Sequence, residues 1–311
     1  MKKIALVAAL AAVAAPAAFA QSSVTLWGRI NTTVESQKVE NQDRKAVVQN
    51  NSSRLGFKGT EDLGGGLKAS FLLEHGLNSD NGTATSTAFW NREAAVQLSG
   101  SFGAVKLGRW TNGSYFATAD YVSMHNHDTG TSSDALYSGI GWTETNKVGY
   151  FTPNVAGFTG EFTMHAGEGV DKKAFDAALN YDMGPLHLGA GYSKQGDGSQ
   201  YAIRGLYELG AFTFGGYYQR EDAGVGARPT RNIGRVSAMY TMGASEFHVN
   251  VGGTESGGTF GSNGAKQYTV GYNYNLSKRT KVYGFYTAVD NTAGNHKGDF
   301  DSLAVGVRHN F

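Results

Sequence analysis

Hydrophobic and polar residues alternate along most of this chain. In its last segment Leu303, Val305, Val307, His309 and Phe311 fall on one parity, and Ser302, Ala304, Gly306, Arg308 and Asn310 on the other. Near the beginning Val24, Leu26, Gly28, Ile30, Thr32 and Val34 alternate with Thr25, Trp27, Arg29, Asn31 and Thr33. The same period of two recurs between these ends, for example in Leu67, Ala69, Phe71 and Leu73, in Leu186, Leu188, Ala190 and Tyr192, and in Phe247, Val249 and Val251. Successive side chains of a strand point to opposite faces, so a strand with hydrocarbon on one side and water on the other must read this way.

Short and long connectors take turns between these segments. Short ones lie at 61–66, 100–103, 182–185, 209–210, 242–244 and 275–278, and long polar ones near 36–51, 78–89, 110–145, 167–173, 194–200, 221–232, 254–265 and 290–300. Eight long loops imply sixteen strands if both chain ends lie on the short-turn side. The fold expected is all-β, a transmembrane antiparallel β-barrel of about 16 strands with short periplasmic turns and long extracellular loops. At that size side chains no longer fill the lumen, which becomes an aqueous channel. A secreted β-sandwich or β-solenoid would share the alternation, but a last strand running to Phe311 without a polar tail disfavours it.

The first twenty residues differ from the rest. Lys2 and Lys3 precede an apolar run from Ile4 to Ala15, then Pro16 and the small-residue end Ala18-Phe19-Ala20, the layout of a secretory signal peptide. The run is too short for a membrane helix, and no later stretch is long enough either. The expected organisation is a cleaved signal peptide at 1–20 and one barrel domain at 21–311. Losing two lysines leaves the remainder with 25 basic and 26 acidic side chains, a balance that does not point to nucleic acid. The absence of cysteine removes disulfide scaffolds and Cys-based zinc sites. The 44 Gly, 16 Tyr and 17 Phe with only 4 Pro suit many hairpins whose rings form girdles at the two membrane interfaces.

Five stretches carry a resemblance: Ser23-Val24-Thr25-Leu26-Trp27-Gly28; the run from Ser53 through Arg54-Leu55-Gly56-Phe57-Lys58-Gly59-Thr60-Glu61-Asp62 to Ala69; Val105-Lys106-Leu107-Gly108-Arg109; Tyr274-Asn275-Leu276-Ser277-Lys278-Arg279-Thr280; and the final Val307-Arg308-His309-Asn310-Phe311. In this order they make the chain similar to the general trimeric porins of Gram-negative bacteria, in particular the neisserial and β-proteobacterial branch. The resemblance implies an outer-membrane homotrimer that passes small hydrophilic solutes and ions without a cofactor. It also implies a third loop folded into the lumen, and a terminal Phe311 read by the outer-membrane assembly machinery or serving as an interface aromatic. Around Trp142–Val148 the chain departs from the family pattern, which carries an arginine shortly before the asparagine.

The longest connector, Trp110 to Thr145, holds Asp120, Asp128, Asp134 and Glu144 and no Lys or Arg. Alternation turns Arg29, Arg54, Lys58 and Lys106 toward the lumen, and Arg109 closes the fifth strand. The expected constriction sets the basic wall Arg29, Arg54, Lys58, Lys106 and Arg109 against Asp120 and Asp134, with a weak lean toward anions that follows if the wall dominates.

Other signals carry less. Gly64-Gly65-Gly66-Leu67-Lys68 lacks phosphate-loop spacing. His125 and His127 beside Asp128 lack a third ligand at fixed spacing, so no metal is expected. Eight histidines and many serines leave two alternatives open, a barrel enzyme of lipase or protease type and a non-conducting structural or adhesive barrel. N-terminal sequencing of the exported protein is expected to start at Gln21; a start at Met1 contradicts signal-peptide removal.

Overall fold

A backbone in hydrocarbon must satisfy every N–H and C=O from within, and for β structure only a closed sheet does so. The computed structural model describes residues 23–124, 136, 137, 139, 142, 144–222, 224, 230–255, 264–291 and 299–311, and its strands meet that demand. They are β1 (Ser23–Val39), β2 (two segments, Lys45–Asn50 and Arg54–Gly64), β3 (Leu67–Gly76), β4 (Glu93–Gly100), β5 (Gly103–Arg109), β6 (Lys147–Phe151), β7 (Phe158–His165) and β8 (Ala174–Met183). They continue as β9 (Leu186–Gln195), β10 (Gly198–Leu209), β11 (Phe212–Asp222), β12 (Arg231–Met242), β13 (Ser245–Thr254), β14 (Ala265–Asn275), β15 (Thr280–Asn291) and β16 (Phe300–Asn310). Each pairs antiparallel with its sequence neighbours, and β1 closes on β16 from Arg29↔Asn310 to Val39↔Phe300. Sixteen antiparallel strands therefore form one closed barrel. The described residues contain no helix long and apolar enough to cross a membrane.

The two segments of β2 both pair with β1, and Asn51-Ser52-Ser53 bulges between them with Ser52 at φ 59°. The bulge is not left open. Asn51 N–H donates to the Asn31 carbonyl at 2.8 Å, the Asn31 N–H donates to Ser53 Oγ at 2.9 Å, and Asn31 Nδ2 donates to the Asn51 carbonyl at 2.8 Å. Tyr283 Oη, reaching over from β15, donates to Asn31 Oδ1 at 2.6 Å and accepts from Asn51 Nδ2 at 2.7 Å. Gly306 lies under that ring; a Cβ there would sit 2.7 Å from Tyr283 Cζ. The polar patch ties β1, β2 and β15 together at the seam.

Burial runs opposite to that of a water-soluble protein. Among the largest fully buried side chains are Gln219, Gln267, Glu35, Asn31, Asn51 and Asn273, while Val24, Leu26, Val34, Ile203, Val236, Val305 and Phe311 are exposed. The expected parity holds along the strands, with apolar residues outward and polar ones inward. At the short-turn end the outward rings form a row: Phe212, Tyr240, Phe247 and Tyr272 are register partners on β11 to β14, with successive centroids 4.8, 6.3 and 5.1 Å apart. This is an interfacial aromatic girdle.

The strands are longer than the polarity of their ends suggests. The first long loop shrinks from the expected 36–51 to 40–44, because β1 and β2 stay paired up to Gln37↔Lys45. The connector near 194–200 reduces to the turn at Gly196-Asp197, with Gly196 at φ +58° and Lys194↔Ser199 still paired. Polar residues beyond the hydrocarbon read as loop in the sequence, yet a hairpin can continue as a paired ribbon in water.

Phe311 completes the closure. Its N–H and C=O exchange hydrogen bonds with Gly28, both at 3.0 Å, and its ring covers Gly28, where a Cβ would lie 2.5 Å from Phe311 Cζ. Phe311→Ala removes about half a buried ring and is expected to lower the stability of the refolded barrel by about 1–2 kcal/mol. Denaturant unfolding in detergent micelles checks this; an unchanged midpoint contradicts a sealing role.

Candidate functional site

The described residues of the stretch 110–146 leave β5 and turn into the barrel, and their anchors explain why. Trp110 is buried, donates from Nε1 to Glu161 Oε1 at 2.9 Å, and packs where Gly149 leaves room: a Cβ there would meet Trp110 Cζ2 at 2.8 Å. Lys147 Nζ donates to the Trp110 carbonyl at 2.9 Å and to Asn112 Oδ1 at 2.6 Å. The chain then makes a helical turn at Gly113–Tyr115 and a wider one at Phe116–Asp120. Ser114 N–H donates to Asp176 Oδ1 at 3.0 Å, and its hydroxyl meets both Asp176 Oδ2 and Ser193 Oγ. Arg204 Nε donates to the Ala117 carbonyl at 2.9 Å with its guanidinium 3.5 Å from the Tyr121 ring centroid, and Ser237 Oγ donates to the Val122 carbonyl at 2.8 Å.

Missing side chains on the wall bring the loop this close. A Cβ at Gly189 would lie 2.2 Å from the Ala117 carbonyl oxygen, and one at Gly191 would lie 2.7 Å from Ser114 Cβ. Both glycines face the lumen on β9. Apolar packing completes the seat, where Ala119, Val122 and Leu136 of the loop form one buried cluster with Tyr217, Ile233, Ala265 and Val289 of the wall. Burial pushes the Tyr137 phenol up, and Gln200 Nε2 donates to its oxygen at 2.9 Å; burial and Asp182 push Tyr121 up as well. Both remain neutral at physiological pH. The described residues of the third loop thus lie against β7 to β12, with their apolar seat reaching Ala265 on β14 and Val289 on β15, and the passage beside them runs along β16 and β1 to β5.

The sequence-selected cations lie beside that passage in different company. Arg29 and Arg54 are register partners on β1 and β2; Arg29 Nε donates to Asn310 Oδ1 at 3.2 Å, and Arg54 Nη1 lies 3.4 Å from Glu74 Oε1. Lys58, the most open of the set, has its ammonium 5.9 Å from the Trp27 ring centroid. Lys106 pairs with Glu93 Oε1 at 2.5 Å and lies over Trp110 at 4.9 Å. A recess of about 310 Å³ opens between Lys58 and Lys106, lined also by Glu93, Gln97 and Ser70. Arg109 has the register position of Ala94, next to Gly108 at φ +129°, and is tied to Glu144 and to the Asn91 carbonyl at 2.9 Å; it clamps the loop's base. Asp120 ends the wide turn with Oδ1 3.4 Å from Tyr115 Oη. Asp134, like His125, His127 and Asp128, lies outside the described residues.

Two further cations belong to the same wall. Arg308 and Lys281 are register partners on β16 and β15, and Arg308 Nε shares the Asn310 Oδ1 acceptor with Arg29 at 3.5 Å. Their inward parity is readable from Val307 and Val282 beside them. Arg204, which holds the loop, is equally readable between Ile203 and Gly205. Lys281, Arg308, Arg29 and Arg54 therefore form an arc over four consecutive strands, touched by Glu246 at 3.4 Å from Lys281 and by Glu74. Glu35, also inward on β1, is held farther up by Thr33, Gln37 and Ser302.

A closed sixteen-stranded barrel with an inserted third loop and an inside-out burial pattern matches a family model described as Gram-negative porin over residues 5–294. The chain belongs to that family. Among its relatives, Outer membrane porin protein 32 of Delftia acidovorans is 30% identical over the full length of both chains. Major outer membrane protein P.IB of Neisseria gonorrhoeae is 28% identical over all of this chain and 90% of that one. A solved structure, the anion-selective porin from Comamonas acidovorans, superposes with a TM-score of 0.79 at 27% identity, covering 94% of this porin and 100% of that one. The porin resides in the outer membrane and is a channel for passive diffusion.

Gly191→Val puts side-chain atoms where Ser114 sits and is expected to lift the loop from the wall. Single-channel recording should then show a larger conductance from a barrel that still migrates as folded; wild-type conductance contradicts the close seating of the loop.

Proposed function

We propose that this porin passes small hydrophilic ions and solutes through a transverse field and prefers anions. The observation that carries the reading is the placement of the arc Lys281, Arg308, Arg29 and Arg54 on β15, β16, β1 and β2, with Lys58 beside it. Halfway round the barrel, on β7 and β8, stand Glu161 and Asp176 beneath the inserted loop. In a narrow gap such charges act within a Debye length of about 8 Å and are weakly screened. The passage itself runs along the basic side. A solved relative named as anion-selective supports the same sign, and family membership supports a channel over an enzymatic or non-conducting barrel. Lys106 and Arg109 extend the basic side toward the loop's base, with Asp120 and Asp134 as its acidic counterparts.

We read residues 1–20 as the exported chain's removed signal and 21–311 as the barrel, and Phe311 as a mark for the assembly machinery in addition to its seal on Gly28. A loss of assembled protein in cells greater than the in vitro destabilisation of Phe311→Ala tests the latter. The working form is a homotrimer. The register row Ala69–Leu98–Val105 on β3 to β5 is aliphatic at the level where β11 to β14 carry the aromatic row. A row of small aliphatic side chains suits contact with another copy better than a lipid–water interface.

The experiment is a planar-bilayer recording in a salt gradient. The wild type should insert with three equal conductance steps and reverse at an anion-preferring potential. Arg29→Gln combined with Arg308→Gln should move the reversal potential toward cations by tens of percent of the wild-type value, with unchanged folding. A cation-preferring wild type, or a pair of substitutions without effect, overturns the proposal.

A further inference from the structure

The two ends of the third loop meet at one buried lysine. Lys147 opens β6 at 3% exposure, and its Nζ donates to two neutral oxygens, the Trp110 carbonyl at 2.9 Å and Asn112 Oδ1 at 2.6 Å. Among the described residues no carboxylate lies within ion-pair distance of that nitrogen. A buried ammonium without a counter-charge is costly, so a reaction that turns the nitrogen into a neutral amide is favoured. Asn112 is buried as well, and the Trp110 ring forms an aromatic wall, its centroid 5.3 Å from Nζ and 6.4 Å from that of Phe151. Glu161 of β7 reaches the same spot. Trp110 Nε1 donates to its Oε1 at 2.9 Å and Thr163 Oγ1 donates to that oxygen at 3.2 Å. The rest of the carboxyl lies against Gly113, the neighbour of Asn112, where a Cβ would sit 2.6 Å from Glu161 Cδ.

We propose that Lys147 and Asn112 join in an intramolecular isopeptide bond, made by the folded porin itself with Glu161 as proton carrier. A carbonyl bond is about 1.23 Å long, which puts Nζ about 3–4 Å from Asn112 Cγ, close to the separation from which a held nucleophile attacks. An amine, an amide carbon and a carboxyl that moves protons are the parts such an acyl transfer needs. The Nζ lone pair forms the bond to Cγ, and the Cγ–Nδ2 bond breaks. Nζ gives up two protons in turn, Glu161 carries them to Nδ2, and the amide nitrogen of Asn112 leaves as ammonium. Glu161 ends as the carboxylate it began as, nothing is oxidised or reduced, and the chain loses one ammonia and one positive charge. Gly113 is the residue that makes room for the acid, because any side chain there would displace it from Asn112. The product is a covalent clasp at the base of the inserted loop. It restricts the unfolded chain as a disulfide does, in a protein without cysteine.

The test is mass spectrometry of the porin purified from outer membranes, intact and after digestion. No Lys or Arg lies between Arg109 and Lys147 or between Lys147 and Lys172, so trypsin reads the bond directly. A free Lys147 is cut and gives the peptide 110–147. A bonded Lys147 is not, and the digest should instead hold the peptide 110–172, lighter than its sequence by one ammonia. Cleavage after Glu144 should leave the pieces carrying Asn112 and Lys147 joined. Lys147→Met and Asn112→Ala should each have the intact mass of their sequence. Glu161→Gln keeps both reacting groups and should still yield the ordinary 110–147 peptide, which separates a proton carrier from a bystander. Peptide 110–147 as the main wild-type product overturns the proposal, as does a bond formed in Glu161→Gln. Conversion of Asn112 to aspartate or isoaspartate without a link to Lys147 overturns it too, by making water the nucleophile. Should a variant fail to fold, the wild-type digest decides alone. None of these outcomes bears on conduction, so failure here leaves the channel reading intact.

Discussion

Hydrocarbon gives no partner to a peptide N–H or C=O, and this porin answers by joining its last strand to its first. The seam receives special treatment. Gly28 and Phe311 exchange backbone bonds at its lower end, and Asn31, Asn51, Ser53 and Tyr283 bond one another where β2 is interrupted, with Asn51 Oδ1 left without a partner. Each bond counts in a buried cluster of this kind, because an unpaired member costs on the order of 1–3 kcal/mol. Closure also fixes what each parity touches, so the inside-out burial follows from the same constraint.

The width that closure imposes creates a second problem. Sixteen strands leave more space than side chains can fill, and the third loop fills part of it. Its seat is specific. Gly189 and Gly191 give up side chains so that Ala117 and Ser114 can approach, while Asp176 and Ser193 receive the turn at its start. The passage is set off-centre by where those glycines fall, and the arc from Lys281 to Arg54 lies on the side left open. Selectivity is thus coupled to a packing decision made eight strands away.

Much of this is legible in the order of the amino acids. Period-two alternation reveals the strand faces, including the inward turn of Arg29, Arg54, Lys58 and Lys106, because hydrocarbon on one face leaves no freedom in register. Strand ends are less legible: Lys194 to Ser199 is polar, and polarity outside the membrane does not separate a paired ribbon from a loop. Pairing partners are less legible again. That Lys106 meets Glu93, that Arg109 is bound to Glu144, and that Arg29 and Arg308 converge on Asn310 depend on contacts across strands, which alternation along one strand cannot supply. The loop's own acids follow no alternation, and Asp134 lies beyond the described residues.

Water on one parity and lipid on the other is the claim beneath the rest, and a chain without cysteine allows a clean measurement of it. Single cysteines at Thr25, Arg29, Arg308 and Asn310 should react with a membrane-impermeant thiol reagent in protein reconstituted into vesicles. Cysteines at Leu26, Ile30, Val305 and Val307 should resist it and be labelled by a lipid-soluble probe. Equal reactivity of the two sets would contradict a water-filled lumen bounded by a lipid-facing wall.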